Sequence, residues 1–208
     1  MRRISHITPR YILDRVMYFV YERTHKGYPW LTQKANVILE DLLLKTDKVL
    51  EFGSGRSTVW FSDRVGMIVS VEHNEEWYGR VKSILDAGYA NVDYRLVKKG
   101  MDDQKSLGER YVAAAGELGP GSVDIVLVDG IFRSECAILA VNVLSRGGVL
   151  ILDNVNRYLP SNSRAPDSIA LDGKPVDDNW RKFAGLTSGW RRIWTTNGLT
   201  DTAFLFKP

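Results

Sequence analysis

A chain of 208 residues with 44% hydrophobic and 25% charged residues has the composition of one ordinary globular domain, and is too apolar for a disordered chain. Its 28 Lys and Arg against 25 Asp and Glu leave a net charge of +3 with the signs interspersed, which argues against a nucleic-acid reader built on a broad basic face. The single cysteine, Cys136, excludes an internal disulfide framework and a Cys-rich zinc site and fits a reducing, cytoplasmic setting. No apolar run approaches the roughly 18 residues of a membrane-spanning helix. Arg10, Asp14 and Arg15 also interrupt any signal-peptide core after Met1-Arg2-Arg3.

In chain order, residues 9–24 place Ile12, Val16, Phe19 and Val20 on one helical face. Gly27-Tyr28-Pro29 ends that helix, and Thr32 is the N-cap expected for a second one running to about Leu44. This N-terminal segment, 1–46, reads either as helices packed on a larger core or as a lid over a site. From residue 48 short apolar runs alternate with helical stretches. Lys48–Glu51, Met67–Glu72, Asn91–Val97, Val123–Val128 and Val149–Asp153 read as strands, with helices near 57–65, 75–87, 103–117 and 133–145. Such alternation implies an α/β, Rossmann-like doubly wound sheet of parallel strands joined by helical crossovers over residues 47–208. Trp190–Thr196 and Thr202–Lys207, separated by a turn at Asn197-Gly198, add an antiparallel hairpin. Residues 156–179, with three prolines and Gly173, read as a long loop over the site.

In a sheet of this kind ligands bind beyond the carboxyl ends of the strands. The first strand runs into Glu51-Phe52-Gly53-Ser54-Gly55, where two glycines permit a sharp turn and a close ligand approach, and Ser57 and Thr58 open the next helix, whose N-terminus favours an anionic group. Glu51 opposes a dinucleotide pyrophosphate but suits a ligand carrying an amino group. Glu72 ends the second strand, where a carboxylate can accept both hydroxyls of a ribose.

With these residues the chain resembles the class I S-adenosylmethionine-dependent methyltransferases, through Glu51-Phe52-Gly53-Ser54-Gly55, Glu72, Asp124–Gly130, Gly147-Gly148-Val149-Leu150 and the terminal hairpin. The resemblance covers about residues 48–207. It implies seven strands with an antiparallel last one, adenosylmethionine over the glycine turn held by Glu51, Gly53, Ser54, Gly55, Ser57, Thr58 and Asp129, and Glu72 on the ribose. Ser57 stands where many members have a third glycine. Asp102 or Asp103 would face the adenine, with His73 and Trp77 as further neighbours.

A narrower likeness concerns chemistry. Asp129 ends the fourth strand and Asp153-Asn154 the fifth, and two carboxylates with an amide oxygen make a hard-oxygen set suited to Mg²⁺. This looks like the metal site of the catechol and caffeoyl-CoA O-methyltransferases, in which the ion would lower the pKa of a bound hydroxyl. The alternative is that the aspartates only shape turns. Phe132 stands where those enzymes carry a lysine base, and Arg133, which follows, cannot be a base but could clamp a substrate anion or balance Asp129. Without a metal, Asp129 is the leading base and His73 the second; His6 and His25 read as surface or capping residues. Trp30, Asn156, Arg157 and Tyr158 are expected at the acceptor pocket. The reading is an O-methyltransferase of a small-molecule or glycan hydroxyl, against a nicotinamide-dependent oxidoreductase or a non-catalytic protein of the same fold. Peripheral membrane contact through the basic N-terminal helix and a homodimer are secondary expectations.

Overall fold

The structure, a computed structural model, describes residues 8–100, 103–116 and 118–208. Two helices, α1 (Pro9–Thr24) and α2 (Gln33–Leu42), precede an alternating series. That series runs β1 (Lys48–Phe52), α3 (Arg56–Ser62), β2 (Met67–Glu72), α4 (Glu75–Leu85), β3 (Val92–Leu96), α5 (Gln104–Ala113), β4 (Val123–Val128), α6 (Arg133–Val143) and β5 (Leu144–Asp153). After a 3₁₀ turn at Val155–Arg157 come α7 (Asp178–Leu186) and the hairpin strands β6 (Arg191–Thr196) and β7 (Asp201–Phe206).

The seven strands form one sheet in the order β3-β2-β1-β4-β5-β7-β6. Strands β1 to β5 are parallel, and β7 inserts antiparallel between β5 and β6. Strand order reverses between β1 and β4, so the loops after these two strands flank the crevice in which ligands of such sheets lie. Alternate residues supply two cores. Leu50, Phe52, Val126 and Val128 pack with Leu107, Tyr111, Ala137 and Phe183 on one face. Val49, Ile125, Leu127 and Ile151 pack with Leu31, Leu39, Trp60 and Phe61 on the other.

Three expectations change. Helix α7 was not anticipated: Asp177 caps it by accepting from Trp180 N at 2.8 Å, and Trp180 and Phe183, one helical turn apart, are buried. The open stretch between the 3₁₀ turn and α7 is therefore 158–177. Strand β5 begins at Leu144 rather than Val149 because Leu144 already pairs with Val123 before a register shift. Finally, Ile12, Val16, Phe19 and Val20 do not pack on the core. They are exposed, and α1 contains no buried residue. It is the polar and aromatic side of α1 that meets the body: Tyr21 Oη accepts from Asn36 Nδ2 at 3.1 Å, and Glu22 lies 3.8 Å from Arg56. Thr32 caps α2 as expected, accepting from Ala35 N.

Candidate functional site

Strand β1 delivers Glu51 into the interior with no exposed surface. Its Oε2 accepts from Thr58 Oγ1 and Ser70 Oγ, each at 2.5 Å, and Ser57 also hydrogen-bonds it. Its Oε1 is buried without a partner. Burial outweighs those hydroxyls and pushes the carboxyl up to about 7. Thr58 serves twice, since its hydroxyl also accepts from Gly55 N at 3.0 Å and closes the start of α3.

The two glycines of the turn have different reasons. Gly53 has φ 92°, and a Cβ there would fall 2.5 Å from Gly130 N, so the turn after β1 and the one after β4 touch backbone to backbone. Gly55 is extended, and a Cβ there would meet only the Trp77 ring at 3.7 Å. Glu72 is nearly buried and anchors the opposite wall. Its Oε2 accepts from Ser54 N and Oγ at 3.1 and 2.8 Å, and its Oε1 from His73 N and Asn74 N at 2.7 and 2.8 Å. The carboxylate is thereby fixed in place, with two hydrogen bonds on each oxygen.

Between these walls lies a cavity of about 520 Å³ lined by Gly53, Ser54, Glu72, Trp77, Asp129 and Gly130, with His73 and Ile131 at its side. Trp77 donates from Nε1 to Ser54 O at 2.7 Å and stacks on Trp30, over which the Arg56 guanidinium sits at 4.7 Å. Asp129, at the β4 tip, interacts directly with Asp153 at the β5 tip. Burial beside Asp129 pushes Asp153 up to about 8. Burial also raises Asp129, opposed by its ion pair with Arg133 at 2.7 Å.

This architecture recurs in solved structures. A methyltransferase-like protein from Silicibacter pomeroyi superposes with a TM-score of 0.56 at 22% identity, over 88% of this chain and 90% of its own. A Staphylococcus aureus protein assigned as a caffeoyl-CoA O-methyltransferase gives 0.52 at 15% identity, over 98% and 95%. An rRNA methylase from Streptococcus thermophilus gives 0.50 at 12% identity, over 86% and 98%. The chain has the class I methyltransferase fold. No family model and no curated protein matches it.

Within the methyltransferase fold the structure brings Gly53, Ser54, Glu72, His73 and Asp129 to one cavity. Glu51 is tied to the glycine turn through Thr58, whose hydroxyl meets both Glu51 and Gly55 N, and Ser57 precedes Thr58 in α3. Asp102 and His6 lie outside the described residues, and Asp103, exposed, accepts from Ser106 N as the cap of α5. His25 caps the end of α1, its N–H bonding Tyr21 O.

Five residues were expected near the acceptor, and the structure places them as follows. Asn156 is fully buried: it donates to Pro166 O and Ser168 Oγ and accepts from Asp201 N, so it pins the 158–177 stretch rather than facing a substrate. Tyr158 stacks on Trp180 at 4.9 Å, while Arg157 points to solvent. Trp30 stacks on Trp77, which lines the cavity. Arg133 is no free anion clamp, because its guanidinium is spent on Asp129, Gly130, Asp153 and Asn154.

That same guanidinium decides the metal question. Asp129, Asp153 and Asn154 do converge, but around Arg133. Both Asp153 oxygens are already engaged, Oδ1 by Thr202 Oγ1 at 2.8 Å and Oδ2 by Asn154 Nδ2 at 2.6 Å. The residues present do not fit a Mg²⁺ site, and among the described residues no other group of His, Cys, Asp or Glu does.

Sequence reasoning missed Ser70 and Thr202. Register would have found both, since Glu51 pairs with Ser70 and Asp153 with Thr202 across adjacent strands. Tyr18 of α1 was also missed. It donates to Glu22 at 3.3 Å, and Glu22 lies 3.8 Å from Arg56 at the start of α3.

Proposed function

We propose that the protein is an S-adenosylmethionine-dependent methyltransferase acting on a hydroxyl of a small molecule or glycan. The observation that carries this reading is the single cavity of about 520 Å³ in which the glycine turn, the anchored Glu72 and the Asp129-Gly130 tip converge. Its size is that of small-molecule and cofactor sites. Adenosylmethionine supplies an electrophilic methyl group on a sulfonium centre. Ser54 Oγ, which also contacts Tyr94 Oη at 2.6 Å, can release Glu72 Oε2 to a ribose hydroxyl, and the unpartnered Oε1 of Glu51 favours the ligand's amino group. Glu51 equally disfavours a dinucleotide pyrophosphate, which ranks the nicotinamide alternative lower.

Asp129 is the candidate base. Arg133 holds its Oδ1, and the side chain borders the cavity, so the carboxylate is placed to take the proton of an acceptor hydroxyl. Trp30 stacks on Trp77, a residue of the cavity wall. A groove of about 1520 Å³ between α1, residues 162–168 and the turn at Thr196–Gly198 offers room for an extended acceptor.

Calorimetry of the pure protein with adenosylhomocysteine and with NADH separates the cofactor readings. Micromolar binding of the first and none of the second is expected, and the reverse would overturn the proposal. Labelled-methyl transfer to hydroxyl acceptors and to rRNA then distinguishes acceptor classes. Asp129→Asn should abolish transfer, lowering the rate far more than it weakens adenosylhomocysteine binding, which the same calorimetry measures. Full transfer by this variant removes Asp129 from the mechanism.

A further inference from the structure

We infer that Arg133 is a built-in cation standing in the place of a divalent metal between the tips of β4 and β5, and that it positions Asp129 there without any bound ion. A guanidinium has five N–H donors in one plane. Here each meets an oxygen: Nε donates to Gly130 O at 2.9 Å, Nη1 to Asp153 O at 2.6 Å and Asn154 Oδ1 at 3.2 Å, and Nη2 to Asp129 O and Oδ1 at 2.6 and 2.7 Å. These are carbonyl and carboxylate oxygens drawn from both strand tips, the donor type a hard cation takes. An octahedral Mg²⁺ needs oxygens at about 2.0–2.1 Å on all sides. The guanidinium fills the space in which such an ion would have to sit.

The backbone at both tips is shaped for this arrangement. Phe132 and Asn154 are non-glycine residues in the left-handed region, with φ 48° and 51°. Phe132 stands at the N-cap of α6 and makes Arg133 its first residue, so the side chain turns back over Asp129. Asn154 directs Oδ1 to the guanidinium and Nδ2 to Asp153 and Thr200. The Tyr158 ring lies 5.9 Å from the guanidinium carbon, and the Arg133 side chain is only 15% exposed. This cation is part of the chain, so a chelator cannot remove it.

The consequence for catalysis rests on the methyltransferase reading, whereas the occupancy of the cation position does not. Mn²⁺ titration followed by electron paramagnetic resonance of the apoprotein tests the occupancy. The parent protein is expected to show no saturable Mn²⁺ binding into the millimolar range. Arg133→Ala, which frees Asp129 Oδ1, is expected to bind one Mn²⁺ at least tenfold more tightly than the parent, and Arg133→Ala/Asp129→Asn to lose that gain. Saturable Mn²⁺ binding by the parent that Asp129→Asn abolishes overturns the inference, as does a folded Arg133→Ala that gains no site. Should Arg133→Ala not fold, the parent titration and transfer rates in EDTA against Mg²⁺ decide. Rates equal within twofold support the inference, and a tenfold stimulation by Mg²⁺ reversed by EDTA overturns it. Adenosylhomocysteine calorimetry on the same parent sample reports failure of the cofactor reading separately.

Discussion

Glu51 couples stability, pH and ligand binding through one buried carboxyl, and Glu51→Gln isolates the coupling. The carboxyl titrates near 7 in the fold against an ordinary 4.5, because burial disfavours its charge more than the Thr58 and Ser70 hydroxyls favour it. Its folded value is raised, so the neutral acid stabilises the fold fully below 4.5, and this contribution is lost as pH rises through about 7. A tenfold change in proton affinity is worth about 1.4 kcal/mol, so the loss between pH 5 and pH 8 comes to roughly 2–3 kcal/mol. Glutamine is neutral at both pH values, and its amide oxygen can accept from both hydroxyls. The stability of Glu51→Gln relative to the parent should therefore improve by about 2–3 kcal/mol from pH 5 to pH 8, a shift of about 5–10 °C for a chain of this size. Asp153 titrates in the same direction in both proteins and cancels in the comparison. Urea unfolding followed by tryptophan fluorescence measures the difference. The same variant should bind adenosylhomocysteine at least tenfold more weakly. In the parent, that affinity should rise about tenfold from pH 6 to pH 8, because the ligand's ammonium selects ionised Glu51. A Gln-minus-Glu stability difference that does not move with pH refutes the assignment of a neutral buried carboxyl, whatever the ligand does.

Three further substitutions probe the frame of the site. Gly53→Ala forces a side chain at φ 92° into the backbone of Gly130, and should cost at least ~3 kcal/mol in urea unfolding; a near-neutral variant means that the two turns do not touch. Glu72→Gln leaves one amide oxygen facing the backbone N–H groups of Ser54, His73 and Asn74, and should lose ~2 kcal/mol of stability together with tens-fold in adenosylhomocysteine affinity. Asn156→Ala removes two hydrogen bonds to residues 158–177 and one to β7, and should lose ~2–3 kcal/mol and speed proteolysis within that stretch while ligand affinity holds. Unchanged cleavage would show that other contacts pin the loop.

The fold was legible because its signals are local and repeated. Apolar runs of strand length alternate with helical periods, Thr32 and Asn197-Gly198 punctuate them, and each strand tip carries its glycine or carboxylate within a few residues. The clustering of Glu51, Gly53, Ser54 and Glu72 around one turn was legible for the same reason: they belong to two short windows whose spacing the sheet itself imposes. Helix α7 left a fainter mark, an Asp177 cap and one buried pair, Trp180 and Phe183, inside a stretch whose prolines and serines argue for a loop. The apolar residues of α1 carried the opposite hazard, since a helical period reports a stripe but not what the stripe faces.

The acceptor side depends on pairings that no spacing encodes. Asn156 reads as a pocket residue because it follows Asp153-Asn154 closely, yet its partners are Pro166, Ser168 and the distant Asp201. Arg133 is the clearest instance. Its place one helical turn beyond Asp129 shows that the two charges can meet, but the same spacing serves an arginine open to substrate. The difference lies in the left-handed turn at Phe132 and in oxygens delivered by Asp153 and Asn154, residues of another strand. An arginine with five donors and five acceptors has no valence left for a ligand. Chemistry that needs a free cation at these strand tips must therefore first break hydrogen bonds that hold β4 to β5, and the position of Asp129 would go with them.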